Sequence, residues 1–366
     1  MKSIFQITIS HNRYDSRIYH RLSTSLAKKG LNTTLIVCDG LGNEVLDNLY
    51  IKDLGNTNLF LITHGIKQLK IFFKLWKIKS ILHFHEPVLL PLAILLKMFG
   101  NIVIFDMHEN LDLQILTKNW KLPKFLKYIF SRIYRKIENY LLKKINGVIV
   151  PQPIMVDMYK SQNKNIISVS NFFINNDNIS QESLLKSKNF KNLIYAGTIS
   201  NARGFKNMIN LMLKLPNEFK LNIAGELKEE LKRQIPKKLN EQIILHGYLN
   251  LKELRSLYKK CGIGLIMFNN VGQYYMSYSL KLFEYMHYGM FIIMPNFGEW
   301  KKFNNEYIAG INIDTKDSEA SSKIIKNLDI NYLKKISHRN IKNVKKYFLW
   351  ENEVTKLIKF YNQLSF

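Results

Sequence analysis

Cysteine is almost missing from this chain of 366 residues. Cys38 and Cys261 are the only two, and they lack the spacing of metal ligands, so neither a disulfide framework nor a zinc site is expected and a reducing compartment is the default. No uninterrupted apolar run approaches the ~18 residues of a membrane-spanning helix. The apolar run that begins at Ile4 is too short for a signal peptide and reads as a first β-strand. After that strand there is no Gly-x-Gly-x-x-Gly, which argues against a tightly held dinucleotide. Acidic residues are scarce: 28 against 54 lysines and arginines, a formal net charge of +26. Such a field attracts polyanions, whether nucleic acid, anionic lipid or phosphorylated substrates. The basic residues cluster with aliphatic stripes rather than in a nucleic-acid motif, so nucleic acid is not expected as a partner. The abundance of lysine, asparagine and isoleucine also fits an AT-rich genome.

What is present points to two domains. The length suits two cores of about 150–200 residues each, and 46% hydrophobic residues are ample for both. The first strand runs into a polar loop, residues 10–17, then an amphipathic helix marked by Ile18, Leu22, Leu26 and Ala27 and closed by Gly30, then a strand from Leu31 to Cys38: a βαβ unit. In open α/β sheets ligands bind at the carboxyl ends of strands, where this loop lies. Asp15 there reads equally well as a helix cap. Two further strands end in polar clusters. Ser80 to Phe84 leads into His85-Glu86-Pro87, with His83 and His85 on one face and Glu86 opposed to them. Residues 101–105 lead into Asp106-Met107-His108-Glu109. For the histidines a metal site lacks a third ligand at suitable spacing, and a buried, hydrogen-bonded histidine is the plainer reading.

A polar stretch over 176–191 separates these units from a second series. There a strand ends at Gly197, Arg203 and Gly204 precede a helix, and strands end at Gly225 and at His246-Gly247-Tyr248. Leu280, Phe283 and Met286 then mark a short helix stopped by Gly289, followed at once by the buried strand 291–294. Lys281 and Glu284 share a face of that helix. An isolated pair of this kind is most often a surface ion pair.

The segment Ser279-Leu280-Lys281-Leu282-Phe283-Glu284-Tyr285-Met286, two residues, Gly289 and an apolar strand resembles the nucleotide-sugar segment of GT-B glycosyltransferases, in particular the large, mostly retaining family 4-like group that builds bacterial surface polysaccharides. The resemblance implies an α/β fold of two Rossmann-like domains facing a deep interdomain cleft: residues 1–175 for the acceptor, a linker 176–191, residues 192–340 for the nucleotide sugar, and a helix within 341–366 returning to the first domain. It implies a donor site of Gly197, Arg203, His246, Lys281, Leu282 and Glu284, with Lys281 and Arg203 on the diphosphate, Glu284 on the ribose hydroxyls and His246 near the base. By the same resemblance His85 is an active-site group, and Asp15, Arg17, His108 and Glu109 line the acceptor side. Two positions depart from the pattern. Met276 stands where many members carry a second glutamate, and Gly204 stands where a second cation is usual, with Lys206 nearby. Asp-x-Asp is absent, so no metal and no other cofactor is expected; the cations would neutralise the diphosphate.

Residues 66–79 and 118–144 interleave lysines and arginines with large aromatic and aliphatic residues, Trp120 among them, the signature of helices lying on an anionic membrane surface. The expectation is a hexosyltransferase, cytoplasmic and peripheral to the inner face of the membrane, that moves a sugar from a nucleotide donor to a polyprenyl-linked oligosaccharide in O-antigen, capsule or exopolysaccharide synthesis. A GT-B nucleotide-sugar epimerase and a catalytically silent assembly scaffold are the alternatives.

Overall fold

A computed structural model describes residues 2–55, 60–108, 110–117, 122–174 and 181–365. The chain divides into two compact units, one of residues Met1–Ile174 with Trp350–Phe366 and one of residues Asn175–Leu349.

The first unit is built on an eight-stranded sheet. Its strands are β1 (Ile4–Ile7), β2 (Thr33–Val37), β3 (Glu44–Leu46), β4 (Leu49–Asp53), β5 (Ile81–Phe84), β6 (Ile102–Asp106), β7 (Gly147–Val150) and β8 (Ile166–Ser168), in the order β3-β4-β2-β1-β5-β6-β7-β8. Strands β5, β6 and β7 are buried throughout, as strands covered on both faces must be. All pairings are parallel except β3 with β4. That hairpin was not read in the sequence; its two-residue turn has Asp47 at φ 51°, the left-handed region a tight hairpin turn requires.

Helices cover both faces. A π-helical turn, Ile18–Ser23, opens the first helix and continues into α1 (Thr24–Lys28). Then follow α2 (Phe60–Leu75), α3 (Leu90–Met98), α4 (Leu111–Thr117), α5 (Lys124–Leu142) and α6 (Pro153–Tyr159). Ile71, Leu75, Leu90, Ala93, Leu96 and Leu142 pack on one face with Leu82, Phe84, Val103 and Phe105. On the other face, Leu22 and Leu26 join Ile4, Ile81, Ile104 and residues of the chain's last helix, Trp350–Ser365. That helix lies directly on β7: a Cβ at Gly147 would stand 2.7 Å from Phe360 Cζ.

The second unit holds six parallel strands, β9 (Asn189–Ala196), β10 (Lys220–Ala224), β11 (Ile243–Gly247), β12 (Cys261–Leu265), β13 (Phe291–Pro295) and β14 (Gly310–Ile313), in the order β11-β10-β9-β12-β13-β14. Its helices are α7 (Gln181–Lys186), α8 (Phe205–Met212), α9 (Glu229–Lys232), α10 (Leu251–Lys260), α11 (Leu280–His287), α12 (Gly298–Tyr307), α13 (Ser318–Lys326) and α14 (Ile330–Tyr347). Asn250 and Glu253 close a capping box at the start of α10. Gly264 lets α11 sit against β12, since a Cβ there would lie 2.3 Å from the Tyr285 ring.

Two stretches differ from expectation. The stretch 176–191 is not all linker: α7 forms within it, anchored by buried Leu184, and β9 starts at Asn189. The terminal stretch 341–366 is two helices, α14 and α15 (Trp350–Ser365), rather than one. The chain breaks between them because its aromatic residues serve different cores. Phe348 packs with Phe283 and Phe303 in the second unit, while Trp350 packs in the first and donates its backbone N–H to Phe173.

Candidate active site

In the second unit the expected donor residues gather at the carboxyl ends of β9 and β10 and the start of α11. β9 ends at Ala196, and Gly197 follows at φ +107°, a conformation open to glycine. A Cβ on Gly197 would lie 3.7 Å from Lys281 Nζ, so the missing side chain leaves the space in front of that ammonium. Lys281 is buried rather than paired on the surface. Its Nζ lies 3.7 Å from the centre of the Tyr195 ring and has no hydrogen-bond partner. Burial, and secondarily the like charge of Arg203, push the ammonium well below the ordinary lysine range, against the pull of Glu284. An unpartnered buried cation is costly, and a bound anion would remove that cost.

Arg203 is half-buried, its Nε 3.2 Å from Tyr274 Oη, just before the N-terminus of α8. Gly204, at φ +84°, caps that helix, and a Cβ there would come within 1.8 Å of the Met267 carbonyl oxygen. The absent second cation therefore has a steric cause. Lys206 is exposed on the first turn of the helix. Leu282 is fully buried in the core beneath, and Glu284 accepts a 3.0 Å hydrogen bond from Tyr258 Oη, which fixes one carboxylate oxygen. His246, at the end of β11, meets Asn222 through Nε2 at 2.9 Å. Met276 is half-buried in the loop that leads to α11.

In the first unit a polar cavity of about 440 Å³ is lined by His11, Asp15, Arg17, His85, Glu86, His108 and Asn171, with Phe105, Met107 and Leu111 among its apolar walls. Asp106, at the end of β6, is buried at its base, and both of its oxygens accept from Arg17, at 2.8 and 2.7 Å. Arg17 also donates to Val169 O and to Asn171 Oδ1. His85 bridges Gln6 Oε1, at 2.8 Å, and His108 Nε2, at 3.0 Å, while His83 meets Tyr361 Oη at 2.7 Å. Burial holds His83 and His108 neutral, each lowered to about 4, and lowers His85 in the same direction. Asp106 stays ionised because Arg17 outweighs its burial. Asp15 is both at the cavity and a cap: its Oδ1 accepts from the N–H groups of Arg17 and Ile18. Glu109 lies outside the described residues.

Glu86 is where the alternation argument fails. Strand β5 ends at Phe84, so the period of two does not extend to Glu86, which lines the same cavity as His85. Its Oε1 accepts from Thr8 Oγ1 and from the backbone N–H groups of Ile9 and Ser10, and meets His11 Nδ1 at 2.9 Å. Its Oε2 is buried without a partner. Neither Glu86 nor His11 was singled out as a site residue; the polar loop 10–17 beside a carboxylate at a strand end was the available signal.

Among the described residues one group has metal-ligand geometry, His83, His85 and Asp106, with ligand atoms within 4.8 Å of one another. Arg17 already occupies both oxygens of that carboxylate, and its guanidinium opposes a second cation there. Asp106 and Arg17 balance each other's charge, and His83 Nε2 beside them has no hydrogen-bond partner.

The two basic-aromatic segments differ from ordinary surface helices. Helix α5 turns Phe125, Tyr128, Ile129, Phe130, Ile133, Ile137 and Tyr140 to the outside, while the residues it buries are Ser131, Glu138 and Leu142. Helix α2 exposes Leu69 and Phe73; Lys67 is buried there, its Nζ 3.3 Å from Ile9 O. Trp120 lies outside the described residues. No helix among the described residues is long and apolar enough to cross a membrane.

Residues 176–347 match the family described as Glycosyl transferases group 1. Solved structures of similar fold include sucrose-phosphate synthase from Thermosynechococcus elongatus, at TM-score 0.72 and 14% identity over 100% of this chain and 99% of that one. HepE from Anabaena in complex with UDP is similar at TM-score 0.75 and 11% identity, covering 99% and 100%. A glycosyltransferase from Rickettsia africae is similar at 0.72 and 16%, covering 99% and 98%. A search of the curated proteins found no match. The chain has the GT-B fold of two α/β parallel-sheet domains, and the residues that match the glycosyl transferases group 1 family lie within its second unit.

Proposed function

We propose that the protein is a retaining hexosyltransferase that moves a sugar from a nucleoside-diphosphate donor to a lipid-linked oligosaccharide, at the inner face of the cell membrane, in the synthesis of a bacterial surface polysaccharide. The observation that carries the donor half is Lys281 Nζ, buried, without a hydrogen-bond partner and facing the space that Gly197 leaves open. A diphosphate there would supply the missing counter-charge. Arg203 is the second cation for the leaving diphosphate, and these two replace a metal ion in our reading. Glu284, already oriented by Tyr258, takes the ribose hydroxyls, and His246 lies towards the base. HepE was solved with UDP and with UDP-glucose, which makes a uridine nucleotide the first donor to test.

In the first unit, Glu86 Oε2 and His108 offer hydrogen bonds to an acceptor hydroxyl, with Asp15 and Arg17 on the same side. His85 acts through His108 and Gln6, orienting the acceptor wall rather than titrating. In a retaining reaction the departing diphosphate itself takes the hydroxyl proton, so neutral histidines are sufficient.

The deciding experiment is thermal stabilisation of the purified protein by UDP, GDP, ADP and CMP. A nucleotide at 100 times its dissociation constant adds about 2.7 kcal/mol. Stabilisation by one nucleoside diphosphate, abolished in Glu284→Ala, supports the reading; no response to any of the four overturns it. Sugar epimerisation without an acceptor would favour the nucleotide-sugar epimerase instead.

A further inference from the structure

Beside the polar cavity of the first unit lies a second depression of about 490 Å³, lined by Pro87, Val88, Leu90, Pro91, Tyr134, Ile137 and Leu141. The two adjoin: Pro87, Leu111 and Glu138 line both. Their chemistry differs sharply. The first presents the carboxylates of Asp15 and Glu86 with the imidazoles of His11 and His108, a setting for a ligand with several hydroxyl groups. The second is walled almost wholly by aliphatic and aromatic carbon. Its one carboxyl, Glu138, is turned away from that role, since both of its oxygens accept hydrogen bonds from tyrosines, Tyr134 and Tyr159. Burial raises this carboxyl above its ordinary value.

We infer that the two cavities take one amphiphilic acceptor, with saccharide hydroxyls in the polar cavity and the first units of a prenyl chain in the apolar groove. The inference rests on the transferase reading above and goes beyond it by placing the lipid. Three observations support this occupant. The groove adjoins the polar cavity and shares three lining residues with it, and its volume falls within the ~300–1,000 Å³ of small-ligand sites. Ile137, on its rim, belongs to the apolar outer face of α5, so a chain leaving the groove would pass from protein to an apolar phase without crossing water. Lys124, Lys127, Arg132 and Lys136 are interspersed on that same helix, which suits the phosphate groups joining a sugar to a prenyl chain and the anionic lipids around it.

The test uses the whole protein and a series of probes with one head, N-acetylglucosamine diphosphate, on chains of one, two and three isoprene units, each below its micelle-forming concentration. Affinity is expected to rise at least tenfold from the shortest chain to the longest. Val88→Trp, at a half-exposed position, is expected to cancel that rise and leave the one-unit probe unchanged. Ile137→Trp gives a second plug if the first variant folds poorly. Chain-independent affinity, or a rise that survives both plugs, overturns the inference. UDP stabilisation of the same samples reads the donor site separately: its loss would sink the transferase reading, while the chain-length dependence still decides the groove.

Discussion

The two units manage buried charge in opposite ways. In the first, Asp106 is paired through both oxygens with Arg17, whose other N–H groups go to Val169 and Asn171, and the surrounding histidines are kept neutral. In the second, Lys281 is also buried, and its Nζ has no hydrogen-bond partner. A paired carboxylate holds a wall in place. An unsaturated cation invites a ligand of opposite charge. The difference lies in where the counter-charge comes from: Asp106 has its own within the first unit, and under the proposed function Lys281 receives its own from the donor diphosphate.

The same contrast separates two long, lysine-rich helices. Helix α14 buries Leu333, Ile336, Ile341 and Val344 and turns its lysines outward, which is ordinary amphipathic behaviour. Helix α5 has its apolar stripe on the outside. Both are rich in lysine and arginine; the direction each apolar stripe faces sets them apart.

The largest expected effect breaks the balanced network. Asp106→Asn strips Arg17 of its counter-charge at a buried site and should cost about 3–5 kcal/mol of stability, measured by urea unfolding. If Asp106→Asn unfolds within 1 kcal/mol of wild type, the network is not what holds the wall. Lys281→Met should do the reverse. Folding stability should stay level or rise, because an unpaired ammonium is gone, while turnover falls about 10²-fold, roughly 3 kcal/mol of transition-state stabilisation. A destabilised Lys281→Met would mean that the ammonium has a structural partner after all.

Acid should separate the units next. Burial lowers His83 and His108 to about 4, so between pH 6.5 and 4 the unfolded chain takes up protons that the folded chain refuses, and stability falls as pH falls through that window. His11 has the opposite sign: beside Glu86 it is raised, so its contribution is present below 6.5 and is lost as pH rises through its folded value. Replacing His108 with Gln should flatten the acid limb by about 2 kcal/mol, allowing for its partial exposure. An unchanged limb in His108→Gln would show that His108 is already protonated in the folded state. The smallest effect on folding is expected at α5. Phe130→Glu should change stability by no more than about 0.5 kcal/mol yet weaken cosedimentation with anionic vesicles about tenfold. Equal loss from a change of the same charge on α14, Lys342→Gln, would reduce membrane attraction to net charge alone.

Much of this was legible in the sequence. Strands β5, β6, β7, β12 and β13 announce themselves as short apolar runs closed by polar residues, and α11 by its apolar spacing and Gly289. The hairpin β3–β4 escaped because its strands are short and half-exposed, with weak alternation. Glu86 was assigned to the wrong face because the strand stops two residues before it. The break at residues 348–349 escaped because a helical apolar pattern continues through it, and only the packing of Phe348 and Trp350 in separate cores stops the helix.

By itself the sequence determined two Rossmann-like sheets, their order along the chain, and a lysine and a glutamate on one helical face before a buried strand, because apolar periodicity and glycine positions are local properties. The tertiary structure decided which charges are balanced and which stripe faces outward. Arg17 reaches Asp106 across 89 residues, Gly204 is required by a carbonyl more than sixty residues away, and Glu138 of α5 meets Tyr159 of α6 on the inside while the aromatic side of α5 faces outward. Such relations depend on distances in space that no local window of sequence contains.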